Sequence, residues 1–340
     1  MIYLDTTSAA SWRHASGLAR VSRRLLEELG EGARAARWPG MKTAPGRSDW
    51  LLTPELFSEA ERPGITAFID RRPCRFAAIY HDAIPIKHPS ITWPKSVERH
   101  PGYMKLLSKF DRVWAVSAAS REELLGFWRW QGLANTPQVE VLHLGADAGG
   151  TPRRRREPGG SVRRAPRLVC LGILEPRKNQ SLMLDACMSL RQEGIDMELH
   201  LVGRVNPHFG RELAARVGRL RRDWPGLHHH GQMGDAALTE LIAGARATVF
   251  PSIAEGCGLP LLESLWLGVP CLSSDIPSVL ENAAGGGCVV VAANDLEGWR
   301  RALRSVLTDD ALHARLTLEA SGRPLPTWAE AAAALRRVLG

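Results

Sequence analysis

Short apolar runs alternate along the chain with longer stretches of helical periodicity. In the first half, runs at 2–4, 50–52, 76–80, 112–116 and 139–142 read as strands, with helical patterns at 17–29 and from 119 onward. The alternation resumes with strands at 167–171, 198–202, 247–250, 271–273 and 288–291, and with helices at 180–193 and 260–267. Strands alternating with helices predict parallel sheets covered on both faces, an α/β class. Between the two halves, residues 151–165 have no apolar period and are dense in Arg, Pro and Gly, as an interdomain linker is. The expected division is therefore 1–150, a linker at 151–165, and 166–320, followed by a capped, alanine-rich helix beginning at Thr327 within 321–340. Two such domains in tandem predict a cleft, and ligands of open α/β sheets bind beyond the carboxyl ends of the strands.

A length of 340 residues agrees with two cores rather than one. The formal net charge of +8 is uneven. Residues 1–150 carry 20 Lys/Arg against 16 Asp/Glu, 151–165 carry six against one, and 166–340 carry 18 against 19. This excess suits either an anionic membrane surface or lipid phosphate, or simply a solvated face. Without a zinc-finger spacing or an aromatic recognition strand, the arginines do not indicate nucleic-acid binding. The six cysteines are scattered without C-x-x-C pairs, which fits a reduced cytoplasmic compartment. No secretory pattern follows Met1 and no apolar run reaches spanning length, so any membrane contact is expected to be peripheral, at the inner face of the cytoplasmic membrane.

The most informative segment is 255–263, where Glu255 and Glu263 bracket Gly256, Cys257, Gly258 and Leu259 between a strand and a helix. Helical side chains lean toward the N-terminus, so Glu263 reaches back toward the loop of Glu255. Helix-start N–H groups near Gly256, Gly258 and Leu259 favour phosphate oxygens, while two carboxylates accept from sugar hydroxyls. Together they describe a nucleotide-sugar site. Arg177 and Lys178 follow the strand at 168–171, with Asn179 as the expected cap of the next helix; two cations at this place offset the charge of a diphosphate. A solvated surface pair is the plainer alternative. No Asp-x-Asp occurs in the chain, which argues against a metal-held diphosphate, and neither a metal nor another cofactor is expected.

The Glu-x7-Glu spacing, with 171–179 and 251–258, resembles the retaining glycosyltransferase family 4, built on the GT-B fold with two Rossmann-like domains facing across a cleft. The likeness is strongest over 166–291. It implies transfer of a sugar from a nucleotide diphosphate to a saccharide or lipid-linked acceptor in cell-surface glycan synthesis, with retention. The first domain is then the acceptor side, the second the nucleotide-sugar side, and the last helix packs back on the first domain. Arg177 and Lys178 would hold the diphosphate, Glu263 the ribose, and Glu255 a donor-sugar hydroxyl. Glu263 as a mere complement of the helix dipole is the alternative.

His81 and Asp82 end the strand at 76–80, and relatives carry a similar pair there facing the cleft. The histidine would act on a hydroxyl or the departing phosphate while Asp82 orients it, unless Asp82 only caps a local turn. Gly17 and Arg20 open the first helix, where relatives place a glycine-containing loop near the donor phosphates. His228, His229 and His230 are consecutive, and because neighbouring side chains in a strand alternate faces, they read as a strand edge rather than a metal site. A nucleotide-sugar 2-epimerase of the same fold and a catalytically silent nucleotide-sugar-binding partner remain as rivals.

Overall fold

The computed structural model describes residues 1–9, 17–42, 45–147, 150–156 and 165–340. Ser16 and the 157–164 part of the expected linker lie outside the described residues. The chain divides into two compact units, one of Met1–Gly145 with Pro326–Gly340, the other of Ala146–Leu325. Each is built around a six-stranded parallel sheet.

In the first unit the strands are β1 (Ile2–Asp5), β2 (Ala33–Ala36), β3 (Trp50–Thr53), β4 (Arg75–Tyr80), β5 (Arg112–Ala115) and β6 (Val139–Val141). Their order is β2-β1-β3-β4-β5-β6. The strand order reverses between β1 and β3, which makes the loops after those strands the switch point of this sheet. β2 escapes the sequence pattern because Ala33-Arg34-Ala35-Ala36 is short, weakly apolar and exposed at its centre. The first helix, Gly17–Leu29, buries Val21, Leu25 and Leu29. The C-terminal helix Trp328–Leu339 lies against it, and Arg336 Nη1 donates to the Glu28 carbonyl at 2.8 Å. Thr327 and Glu330 close a capping box at its start.

In the second unit β7 (Arg167–Leu171), β8 (Glu198–Val202), β9 (Leu227–His229), β10 (Ala247–Phe250), β11 (Cys271–Ser274) and β12 (Cys288–Val291) assemble as β12-β11-β10-β7-β8-β9. This is the dinucleotide-fold order, with the switch point between β7 and β10. Both strands are followed by the motifs singled out in the sequence. The core on one side of this sheet joins Leu168, Cys170, Leu199, Leu201, Val249 and Leu272 to Leu184, Trp224, Trp299 and Leu303 from the covering helices.

Residues 151–156, expected to be a free linker, are held on the second unit. Arg153 donates to the Ala320 carbonyl at 3.0 Å and sits over the Trp266 ring, and Trp266 Nε1 donates to the Thr151 carbonyl at 2.7 Å. Arg156 donates to the Ala245 carbonyl at 2.8 Å. The arginines supply donors to carbonyls at helix ends, which a charge pattern alone does not reveal. Among the described residues, no helix is long and apolar enough to cross a membrane.

Candidate active site

The loop after β7 is a tight turn in which Gly172 has φ +143°, and a Cβ there would lie 2.9 Å from Lys178 Cδ. Glycine thus lets the Lys178 stem lie against the backbone at the strand end. Pro176–Lys178 forms a single 3₁₀ turn, and Asn179 follows in the left-handed region at φ +52°. Asn179 occupies the N-cap position of the helix Gln180–Gln192 without making the expected side-chain cap. Its amide donates instead to the Ala293 carbonyl at 3.0 Å, because the left-handed backbone turns the side chain toward the segment after β12.

The loops after β7 and β10 are joined directly. Ile253 N–H donates to the Arg177 carbonyl and Arg177 Nη1 donates to the Ala254 carbonyl, both at 2.9 Å. Glu255 is gripped by both cations, Arg177 at 3.2 Å and Lys178 in a closer contact. Burial would raise the Glu255 carboxyl, but Lys178 and Arg177 overcome this and bring it down to about 2. Burial lowers Lys178, against the pull of Glu255. The two shifts draw on one interaction, and the direction for Glu255 is the firmer, since two cations face it. Lys178 Nζ also lies 5.3 Å from the centre of the Phe250 ring.

Residues that sequence reading left aside complete the shell. Glu175 accepts from Arg177 at 2.8 Å and from the Asn206 amide at 2.9 Å, linking the β7 loop to the segment after β8. Ser278 Oγ donates to the Glu255 carbonyl at 2.5 Å and the Asn282 amide donates to the Cys257 carbonyl at 2.7 Å, so the helix Pro277–Ala283 holds the 255–257 turn. Glu175 lies within the 171–179 motif, whereas Asn206, Ser278 and Asn282 carry no local signal. Cys257 is buried, with its thiol pushed up to about 12 by burial, which leaves it a neutral wall residue. Gly258 turns at φ +86° into the helix Leu259–Trp266, one residue earlier than the pattern suggested, and Glu263 is buried on that helix.

In the first unit, His81 ends β4, is 8% exposed, and pairs through Nε2 with the Pro54 carbonyl at 2.8 Å. Burial lowers its pKa, so the ring is neutral near pH 7 with Nε2–H donated to Pro54 and Nδ1 left as an acceptor. Asp82 does not orient the ring through its carboxylate. Its Oδ1 accepts from Ile84 N–H at 3.0 Å in a local turn, and its carbonyl accepts from His100 Nε2 at 2.8 Å. Pro54 takes the orienting role because it follows β3, the strand next to β4.

At the switch point of this sheet lies a buried ion cluster. Arg62 pairs with Asp5 and, at 2.9 Å, with Glu55, whose oxygens accept from Ser8 and Ala9 N–H at 2.7 Å each. Gly17 is exposed at the first position of its helix, and a Cβ there meets nothing within 4 Å.

The histidine run divides as alternation requires, but the two outer members share a face of the sheet. Adjacent histidines do make a poor single site, but β8 brings Glu198 and His200 to the face of His228.

Both sheets, their helices and the switch-point loops define a GT-B fold of two Rossmann-like units. The sequence model of the family glycosyl transferases group 1 matches residues 165–309. The chain is 27% identical over 334 positions to the serotype-specific mannosyltransferase WbdA of Escherichia coli, covering 83% of this chain and 38% of that protein. It is 34% identical over 145 positions to the O-antigen chain mannosyltransferase B of Escherichia coli, covering 42% of this chain and 36% of that one. The chain thus spans under two-fifths of the length of these relatives. Sucrose-phosphate synthase (tll1590) from Thermosynechococcus elongatus superposes with a TM-score of 0.74 over 99% of this chain and 97% of its own, at 17% identity. Anabaena HepE in complex with UDP and glucose superposes at 0.70 over 94% and 93%, at 14% identity.

Proposed function

We propose that the chain is a retaining glycosyltransferase that moves a sugar, mannose being the first to test, from a nucleotide-diphosphate donor to a saccharide or lipid-linked saccharide acceptor in cell-surface glycan synthesis. The observation that carries this reading is the joining of Arg177, Lys178 and Glu255 at the switch point of the second sheet. The mannosyltransferase names of the relatives support it and favour transfer over epimerisation.

In this reading the second unit holds the donor and the first presents the acceptor. Arg177 and Lys178 receive the diphosphate, whose leaving oxygen gains charge as the bond to the sugar C1 breaks. The turn 256–259 cradles phosphate oxygens, Glu263 accepts from the ribose hydroxyls, and Glu255 accepts from a donor-sugar hydroxyl. The acceptor oxygen bonds to C1 on the face the phosphate leaves, and its proton passes to the departing phosphate oxygen. Neutral His81 accepts from a donor-sugar hydroxyl through Nδ1. The diphosphate is neutralised by protein cations, without a metal or other cofactor. A lipid-linked acceptor would bring the enzyme to the inner face of the cytoplasmic membrane, where the basic excess of the first half suits peripheral contact with anionic lipid.

A thermal-shift panel of GDP, UDP and ADP with their sugars, followed by a labelled-transfer assay, tests the reading. One nucleoside diphosphate raises the melting temperature, and its sugar is transferred to added acceptor in excess EDTA. Lys178→Ala lowers the transfer rate by ~100-fold or more, the size of losing one charge-stabilising donor. Undiminished transfer by Lys178→Ala, or interconversion of the donor sugar without transfer, overturns the proposal.

A further inference from the structure

The face of the second sheet at its β9 edge carries a cluster that the transfer chemistry does not use. Strand alternation places Glu198 and His200 on one face of β8, and the parallel register sets His200 opposite His228. One ligand atom from each of Glu198, His200 and His228 lies within 4.8 Å of the other two. His200 Nε2 is 3.2 Å from Glu198 Oε2, and the His200 and His228 ring centres are 4.4 Å apart. His230, two residues beyond His228, sets its Nε2 2.8 Å from His200 Nδ1.

We propose that Glu198, His200 and His228 form a binding site for a borderline divalent cation of the Zn²⁺ class, with His230 fixing His200 from behind. Two imidazoles and one carboxylate are a donor set that such ions take and that Mg²⁺ and Ca²⁺, which want all-oxygen shells, do not. Ligand atoms about 2.1 Å from one tetrahedral ion are roughly 3.4 Å apart, so the Glu198–His200 pair is already at that separation and a His228 nitrogen stands within 4.8 Å of both. With the ion on His200 Nε2, the proton resides on Nδ1 and is donated to His230 Nε2, an outer hydrogen bond that sets the tautomer. Arg167 Nε lies 3.3 Å from the same Glu198 Oε2, which accepts from it through one lone pair and offers the other to the ion. The site is partly open: the Glu198 side chain is 27% exposed, and water fills the fourth position. Its effect is to tie the edge strand β9 to β8.

The test is calorimetric titration of the EDTA-stripped full chain with ZnCl₂ and with MgCl₂, paired with melting curves. We expect one equivalent of Zn²⁺ per chain, a melting temperature raised by about 5 °C at saturating Zn²⁺, and no response to Mg²⁺. His228→Ala and Glu198→Gln lower Zn²⁺ affinity by at least ~20-fold, whereas His143→Ala, at an exposed histidine of the first unit, does not. If His228→Ala fails to fold, Glu198→Gln decides, because that substitution keeps the shape of a partly exposed side chain. No stoichiometric Zn²⁺ binding by the wild-type chain, equal binding of Mg²⁺, or unchanged affinity in a folded variant overturns the proposal.

Discussion

Burial of the Lys178 ammonium beside the Glu255 carboxylate ties two residues with different proposed tasks into one ion cluster. Removing the carboxylate alone would strand a buried cation, so Glu255→Ala is expected to cost about 3 kcal/mol of stability before any effect on sugar binding is read. Glu255→Gln is the better probe of catalysis because it keeps the shape and an acceptor oxygen. The pH dependence follows in sign. Glu255 has a folded pKa of about 2 against an ordinary 4.5, so its contribution is fully present above 4.5 and is lost as pH falls through about 2. The upper limit is about 3 kcal/mol, and the opposing displacement of Lys178 makes the net smaller. Urea denaturation between pH 6 and pH 3 should show a steeper loss for wild type than for Glu255→Gln; identical slopes would mean that the pair does not stabilise the fold. These residues were legible because each pairs chemistry with punctuation, Arg177 and Lys178 after a strand and Glu255 before glycines. Asn206, Ser278 and Asn282 were not, since each depends on which loops the topology brings together. His81 was legible, whereas its Pro54 partner required knowing that β3 lies beside β4.

At the scale of elements, the alternation of apolar runs and helical periods gives the inner strands of both sheets, because a parallel strand covered on both faces carries its own apolar signature, and it misses the edge strands β2 and β9. The failures are equally physical. Ala33–Ala36 lacks β-branched residues, and the arginines at 153 and 156 read as linker although they serve helix-end carbonyls. The strand-to-helix turn after β7 is the element on which the proposed donor site depends. A methyl group at Gly172 would enter the Lys178 stem at 2.9 Å in a backbone region that side chains rarely adopt. Gly172→Ala is therefore expected to destabilise by ~1–3 kcal/mol and to weaken nucleoside diphosphate binding along with it. Chemical denaturation and nucleotide titration of the same preparation check this. A destabilised protein with undiminished affinity would show that the turn does not position Lys178 for the diphosphate.

The whole molecule is two units whose boundaries do not follow chain order, since the last fifteen residues of the chain fold with the first unit. Trp328 and Leu335 are 1% and 0% exposed, and Gly145 approaches Trp328 so closely that a Cβ would fall 2.3 Å from its backbone nitrogen. Burying these two side chains with Leu339 contributes on the order of 5 kcal/mol to the first unit and nothing comparable to the second. A chain truncated after Leu325 should therefore lose or sharply weaken the first unit while the second, whose core is drawn from Leu168 to Leu316, stays folded. In calorimetry a low-temperature transition should shift down or vanish beside a preserved one, and proteolysis should trim residues 1–145 first. The same truncated chain separates folding from function. If the second unit holds the donor by itself, nucleoside diphosphate still raises the surviving transition while sugar transfer is abolished. Loss of that nucleotide response from a second unit still melting at its original temperature would mean that nucleotide binding needs groups from the first unit, and the assignment of the diphosphate to Arg177 and Lys178 and of the ribose to Glu263 would fall.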